Sequence, residues 1–386
     1  MPPPLPPWSD LPLELVGLVL GSLPVHADRV RSAAVCCQWR AAVREVPLPS
    51  AMPLLAIPFA GYAAAAASGN WLLFLSPDDN DSNGSCFLRD PFSGATVPLP
   101  AQSRVWLRYK NSDGSPVYGP AAAGASIAVR RLLLCSPNLV AAQVRLGLRP
   151  RIAVCKPGAA SAWWSVSMED GGMVPLLGAM AFHQGKLFAV EKLYAIDVGV
   201  DQSTGGPRVS RVRLVISTIL CCPSTVMVIP RGSGVFMEML LYVVESRGVL
   251  LVVRRGMQRQ WTRQEGRSTP TGWNEIDVFE ADLQGCRWTQ VDTIGDDQVL
   301  FLSGHHSRSL CVSQLGMPGD RIVFFENDDE DGGRWSRGES TSNSCIVYDM
   351  KGRKLDNTLV PKGFRWKCGT VRAAWLFPED GSSKVC

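Results

Sequence analysis

The sequence predicts a mostly β protein, with a C-terminal β-propeller preceded by a small N-terminal three-helix module. Three observations carry this. From about Trp71 onward, apolar runs of four to seven residues alternate with clusters of Gly, Pro, Asp and Ser, the pattern of strands and turns. Related strand–turn units recur at spacings that fit a period of roughly forty to fifty residues with insertions, the blade period of a propeller. Ahead of them, Trp8 to Glu45 is the one long stretch with helical periodicity, and no helix of convincing length is expected after Glu45.

The helical stretch comes first in the chain. Leu11, Leu15, Leu18 and Val19 recur at spacings of three and four, so they are expected on one helical face. Ser9 and Asp10 suit an N-cap, and Pro12 fits a first turn. Gly21 and Pro24 end this helix. A second pattern starts near Ala27 and breaks around Cys36 and Cys37, and a third helical piece carries Gln38 to Glu45. Three short helices make a core below the size at which a domain is comfortable alone. The module, residues 8–46, is therefore expected to form half of an interface. Pro47, Pro49, Pro53 and Pro58 mark a linker and the entry to the second domain, residues 47–65. The propeller is expected over 66–380.

Strands are expected at Trp71–Leu75, Ser126–Cys135, Lys186–Val190, Leu240–Val244, Val249–Val253, Asp297–Leu302 and Arg321–Phe325. One recurring unit is a strand, an Asp, a few residues and a Gly: Asp90 with Gly94, Asp197 with Gly199, Asp282 with Gly285, Asp349 with Gly352. Such an Asp can bond the backbone of its own turn, while the Gly supplies a positive φ. Arg254 to Gly272 is polar and is expected to be a long loop within one blade. The acidic run Asn327 to Gly333 is expected at a solvated hairpin tip.

Composition narrows the function. Hydrophobic residues are 46% and charged residues 19%, which marks a globular chain. A net charge of +4, with no run of Lys and Arg beyond two, argues against a nucleic-acid partner. The first ten residues have no basic region followed by an apolar core, so no secretory leader is expected. Leu54–Ala67 and Leu214–Ile229 are too short or too interrupted to span a membrane, and no membrane partner is expected. The 12 cysteines include adjacent pairs and no C-x-x-C, which favours reduced, buried thiols over disulfides or zinc. The expected location is the cytoplasm and/or nucleus.

No catalytic constellation stands out, and neither a cofactor nor a metal is expected. The four histidines are His26, His183, His305 and His306. The adjacent pair would point to opposite faces of a strand, so one ion cannot readily take both. Gly232-Ser233-Gly234 lacks the nucleophile-elbow pattern. Asp296 and Asp297 are neighbours in an expected turn. Trp163, Trp164, Trp288 and Trp375 sit in strand patterns and are read as blade packing. The polar segment after Val253 carries Arg255, Arg259, Trp261 and Arg263, residue types that anchor interfaces. They are the expected substrate contacts.

The order Asp10-Leu11-Pro12, Glu14-Leu15, Leu18, Leu23-Pro24 and Val35-Cys36-x-x-Trp39-Arg40 resembles the F-box, the adaptor-binding module of Skp–cullin–F-box ubiquitin ligases. It departs from the family at Cys37, where a basic residue is common, and in the helix-weakening Gly17 and Gly21. The stretch Leu240–Phe325, with Pro91-Phe-Ser-Gly94 and Val97-Pro-Leu-Pro100, resembles the plant F-box-associated domain of unknown function, a propeller related to kelch-type folds. The resemblance implies a substrate-recognition subunit that does no bond chemistry. Leu11, Pro12, Leu15, Leu18, Leu23, Val35, Cys36 and Trp39 would bind a Skp-type adaptor, and through it a cullin. The propeller would hold a protein substrate. Two alternatives are a propeller binding module with a vestigial F-box, and a propeller hydrolase.

Overall fold

A computed structural model describes residues 11–22, 31–45, 54–56, 64–68, 70–75, 86–91, 93–110, 112–113, 116–147, 149–158, 163–167, 179–190, 192–200, 205–218, 220, 235–262, 267–303, 307–312, 317–326, 344–356 and 374–377. Helix α1 spans Leu13–Ser22 and α2 spans Cys37–Glu45, with a single helical turn at 31–33 between them. The carbonyl of Pro12 accepts from the N–H groups of Leu15 and Val16 at 3.0 and 3.1 Å, so Pro12 stands at the cap and the first turn starts after it. Everything else with regular structure among the described residues is β.

Five sheets of four to six strands follow one another along the chain. The first blade holds β2 (Ala64–Ser68), β3 (Trp71–Leu75), β4 (Cys86–Arg89) and β5 (Thr96–Leu99). The second holds β8 (Ile127–Ser136), β9 (Leu139–Leu146), β10 (Arg149–Cys155) and β11 (Trp164–Ser167). A hairpin, β6 (Val105–Lys110) and β7 (Pro116–Pro120), extends its outer edge, with β6 parallel to β11. The third is β12 (Ala179–His183), β13 (Lys186–Val190), β14 (Leu193–Val200) and β15 (Pro207–Ile216). The fourth is β16 (Val235–Ser246), β17 (Val249–Thr262), β18 (Arg267–Asp282) and β19 (Arg287–Val291). The fifth has the order β21 (Arg308–Cys311), β20 (Gln298–Leu302), β22 (Arg321–Glu326), β23 (Ser344–Asp349) and β24 (Lys354–Asp356). All seven runs expected to be strands fall on strands.

A two-stranded sheet closes the ring. β1 (Leu54–Ala56) pairs with β25 (Ala374–Leu376) in the register Leu54↔Leu376. Strand β1 lies inside the segment expected to be linker and entry to the second domain. The strands at one edge of each sheet touch in sequence: β25 on β2, β2 on β8, β8 on β12, β12 on β16, and β16 on β21. The circle is completed where Arg308 of β21 lies over the Phe377 ring, 5.4 Å from its centroid. This is a five-bladed propeller with a two-stranded closure.

The core follows the same order. Leu73, Cys86, Leu88 and Leu99 pack against Val140, Ala142, Cys155 and Trp164, joining blades one and two. Ala141, Ile152 and Val154 meet Leu187, Ala189 and Ile196 between blades two and three. Phe188, Val190 and Ala195 meet Leu241, Val243 and Val252 between three and four. Tyr242, Val244 and Val253 meet Leu300, Ile322 and Phe324 between four and five. Val299, Phe301, Val323 and Phe325 meet Trp375 and Phe377 at the closure. Period-2 alternation explains the apolar run 299–302 of β20: Val299 and Phe301 face the closure, Leu300 and Leu302 face blade four, and all four are buried.

The Asp turns hold at three of the four places, with a change in the role of Gly. Gly94 takes a positive φ of 73° and donates its N–H to the Asp90 carbonyl at 2.9 Å. Asp282 Oδ1 accepts from Gly285 N–H at 2.7 Å, and Asp349 Oδ1 accepts from Gly352 N–H at 2.9 Å. There the positive φ falls one residue later, on Cys286 (51°) and Arg353 (47°). A Cβ at Gly285 would press on Asp282 Oδ2, so the Asp282 side chain would have to shift. At Asp197 no turn forms. The chain continues as β14, with Asp197 paired to Arg211 beside a register shift.

The expected loop Arg254–Gly272 is also a correction. β17 and β18 run through it, pairing from Arg254↔Asp277 out to Thr262↔Arg267. Polar composition hid a ladder whose backbone is fully extended. Pro270 and Gly272 fall at a register irregularity between Met257 and Arg259, where a strand tolerates them.

Trp375 bonds Leu302 O through its indole N–H at 3.2 Å, and its ring meets Phe301 and Phe325 edge-on. Trp375→Ala is expected to cost about 3–5 kcal/mol in urea unfolding, because it removes most of the side chain that seals the last junction. Burial pushes the Cys86 and Cys135 thiols up to about 12 and Cys345 up to about 11. Their folded values exceed the unfolded value of 9.0, so the protonated thiols stabilise the fold fully below that pH. Stability measured by thermal melts is expected to fall as pH rises from 9 toward these raised values. In native alkylation read by mass spectrometry, the exposed Cys37 and Cys286 should react well before Cys86 and Cys155.

Candidate functional site

Helix α1 reads LELVGLVLGS, and Glu14 is its only charged residue. A helix apolar on all sides needs cover on all sides. Among the described residues of the module only one side is covered. Val16 and Leu20, at i and i+4, are buried against Trp39 and Ala42, at i and i+3 on α2. Leu11, Leu13, Val19, Cys36 and Val43 pack around these four. Gln38 donates its side-chain N–H to Leu11 O at 2.8 Å, tying the start of α2 to the start of α1. Arg40 Nε donates to Ala33 O at 3.2 Å and fixes the intervening turn.

The other side of α1 faces solvent. Leu15 is 46% exposed and Leu18 71%, three residues apart on one helical face. Val35, in the turn before α2, is 59% exposed, and Pro12 is exposed at the cap. Of the eight large apolar side chains most exposed among the described residues, three belong to this module. The module's core cluster contains no propeller residue. Burying one leucine fully is worth about 1.5–3 kcal/mol, so the face has a substantial drive to acquire cover.

The residues expected to bind an adaptor therefore divide. Pro12, Leu15, Leu18 and Val35 form exposed surface. Leu11 and Cys36 are half-buried, and Leu23 lies outside the described residues. Trp39 is a correction: at 6% exposure it is core, because its ring fills the gap between the two helices. Val16, Leu20 and Ala42 were missed as its partners. The signal was present as the i, i+4 pair on α1 facing the i, i+3 pair on α2.

The expected substrate contacts change more. Arg255 is fully buried, its guanidinium over the Phe324 ring at 4.7 Å from the centroid, so it serves the junction of blades four and five. Its neighbour Arg254 reaches the Asp277 carboxylate at 2.5 and 3.0 Å and the Leu220 carbonyl at 3.1 Å. The backbone of Arg259 and Trp261 lies in β17, opposite Pro270 and Ser268, so neither residue is in a loop. Arg263 lies outside the described residues. Among the tryptophans, Trp164 and Trp375 are core, whereas Trp163 is partly exposed, flanked by Trp106 at 5.8 Å and Arg104 at 5.6 Å.

Of the residues weighed for catalysis, His183, Asp296 and Asp297 are described, and each has a partner within the fold. His183 is buried in β12 beside Phe188. Asp297 pairs with Arg247, and Asp296 pairs with Lys351 at 2.7 Å, which holds that ammonium above its ordinary range. The buried Asp320 accepts from Ile294 N–H at 2.8 Å and Thr293 Oγ1 at 3.0 Å, pinning the β19–β20 connection. His26, His305, His306, Ser233 and the acidic run after Glu326 lie outside the described residues; Glu326 pairs with Ser344, so the run connects neighbouring strands. Among the described residues, no three His, Cys, Asp or Glu side chains form a group able to hold a metal ion. No helix among them is long and apolar enough to cross a membrane.

Comparison with protein families gives two matches. Residues 8–50 match the F-box domain, and residues 40–349 match the KIB1-4 beta-propeller. No curated protein matches the chain.

The division of the module into face and core is testable by circular dichroism and thermal melting. Trp39→Ala is expected to cost about 3–5 kcal/mol and to melt the helical module, since among the described residues no other aromatic packs in its core. Leu18→Ser should leave helicity and melting within about 0.5 kcal/mol of the parent, as for other surface substitutions.

Proposed function

The chain belongs to the KIB1-4 β-propeller family and carries an F-box domain, and from that premise we propose that it is the substrate-recognition subunit of a Skp–cullin–F-box ubiquitin ligase. F-box domains in general bind Skp-type adaptors. The observation that carries the proposal here is the uncovered apolar face of Leu15, Leu18 and Val35, on a module whose own core lies on the opposite side. The adaptor covers that face, a cullin is recruited through the adaptor, and the propeller holds a target protein.

Both families are typical of non-catalytic receptors. The chain acts by proximity: it raises the effective concentration of the target's lysines near a ubiquitin-loaded enzyme supplied elsewhere. Its work is done in the cytoplasm and/or nucleus, a setting that suits the free cysteines Cys86, Cys155 and Cys345 buried between blades. The same proposal keeps the kelch-type kinship and plant source that the resemblance implied. Gly17 and Gly21 weaken α1 by about 0.5–1 kcal/mol each relative to Ala, yet α1 runs through both. An adaptor that binds the formed helix offsets this cost.

The test is co-elution of the purified chain with a Skp-type adaptor. The double change Leu15→Asp and Leu18→Asp should abolish co-elution, a loss of at least about 2 kcal/mol, while the melting temperature of the propeller stays put. A parent chain that captures no adaptor, or a double variant that captures it as well as the parent, would sink the assignment and leave a propeller binding module with a vestigial F-box.

A further inference from the structure

Four of the five blades end in short outer strands: β5, β7, β19 and β24 run for 4, 5, 5 and 3 residues. Short edges are a standard protection against unwanted strand pairing. Blade three departs from this, because its outer strand β15 runs for 10 residues. It is last in the order β12-β13-β14-β15, and among the described residues no further strand pairs with it.

The first part of β15 is engaged. Val209 is buried with Ile152 and Val154 of blade two, and Ser210, beside a register shift, donates its hydroxyl to Asp197 O at 2.9 Å. The next four residues pair regularly: Arg211↔Asp197, Val212↔Ile196, Arg213↔Ala195 and Leu214↔Tyr194. Val212 is 37% and Leu214 48% exposed, and their spacing of two puts them on one face. Arg211 and Arg213 share the other. The strands of this sheet carry four basic residues, Lys186, Arg208, Arg211 and Arg213, and one acidic residue, Asp197. Asp197 is already shared between Arg213 at 3.6 Å and Lys186 at 4.0 Å.

We infer that Arg211–Leu214 receives an extended segment of the target protein as an added strand, one that alternates carboxylates with apolar side chains. Backbone hydrogen bonds supply affinity in such an addition, and alternate side chains supply selectivity. Carboxylates meet the arginine face, where positive charge is in excess, and apolar groups cover Val212 and Leu214. A second copy of this chain is the wrong occupant, because two such edges would set arginines against arginines. The inference deepens the substrate-receptor proposal and rests on it.

The experiment uses the full chain and a fluorescein-labelled hexapeptide alternating Glu or Asp with Val or Leu, read by fluorescence anisotropy. The same peptide with Lys for each acid tests charge, and one N-methylated at alternate residues tests backbone pairing. The acidic peptide should bind, with affinity falling as salt rises. Arg211→Glu and Leu214→Ser should each weaken it by about tenfold, at unchanged melting temperature. The Lys peptide and the N-methylated peptide should not bind. Equal binding of acidic and Lys peptides, unchanged affinity of Arg211→Glu, full binding of the N-methylated peptide, or a dimer that Arg211→Glu dissociates each overturns the inference. Adaptor co-elution of the same variants separates the two proposals. Peptide binding lost by a chain that still captures adaptor is the signature expected of Arg211→Glu, whereas a parent chain that captures adaptor but ignores the acidic peptide rejects the edge alone.

Discussion

The fold depends on closing the ring. Each blade is buried on both faces, so its core exists only while both neighbours are in place. The junctions between consecutive blades are made by strands the chain delivers in order. The last one must join chain segments more than three hundred residues apart, and it does so with strands of three residues each, β1 and β25. So short a ladder contributes few hydrogen bonds. Large side chains substitute for length: Trp375 wedges between Phe301 and Phe325, Phe377 packs beside them, and Arg308 covers Phe377 from the inner edge of blade five.

The helical module lives under the opposite constraint. Its core is essentially four side chains, Val16, Leu20, Trp39 and Ala42. The propeller packs most of its apolar residues between blades, whereas the much smaller module leaves Leu15, Leu18 and Val35 in water. The contrast is chemical, not a matter of size alone. A sheet face with a neighbour on each side is satisfied within the chain, and an all-apolar helix with one neighbour is not.

Much of this was legible in the sequence, and the failures share a cause. Strand runs such as Lys186–Val190 and Arg321–Phe325 declared themselves because blades buried on both faces require continuous apolar stretches. The module's position and motif were equally clear. What sequence could not rank was direction. Every position of α1 but Glu14, Gly17, Gly21 and Ser22 is apolar, so periodicity alone did not separate Leu18 on the surface from Leu20 in the core. In β17 the reverse occurred. Arginine and tryptophan beyond Val253 looked like a loop because they are polar or bulky, yet Arg255 is buried against Phe324 and the backbone pairs throughout. Glycine misled similarly at Gly285, because the positive φ of that turn falls on Cys286 instead.

These corrections bear on where a partner can attach. A propeller must satisfy the faces of its sheets, but closure places no demand on their outer edges. Backbone groups free to recognise another chain are therefore found there, and four of the five edges are too short to offer a useful ladder. Burying Arg255 moves the candidate recognition chemistry away from the fourth blade, toward an edge where arginines and apolar residues alternate on β15. The module and this edge thus share one property. Each carries chemistry that the fold itself does not consume: apolar area on α1, and cationic strand edge on β15. In a receptor that works by holding two partners at once, surfaces left unsatisfied by folding are the ones on which binding energy can be gained without destabilising the chain.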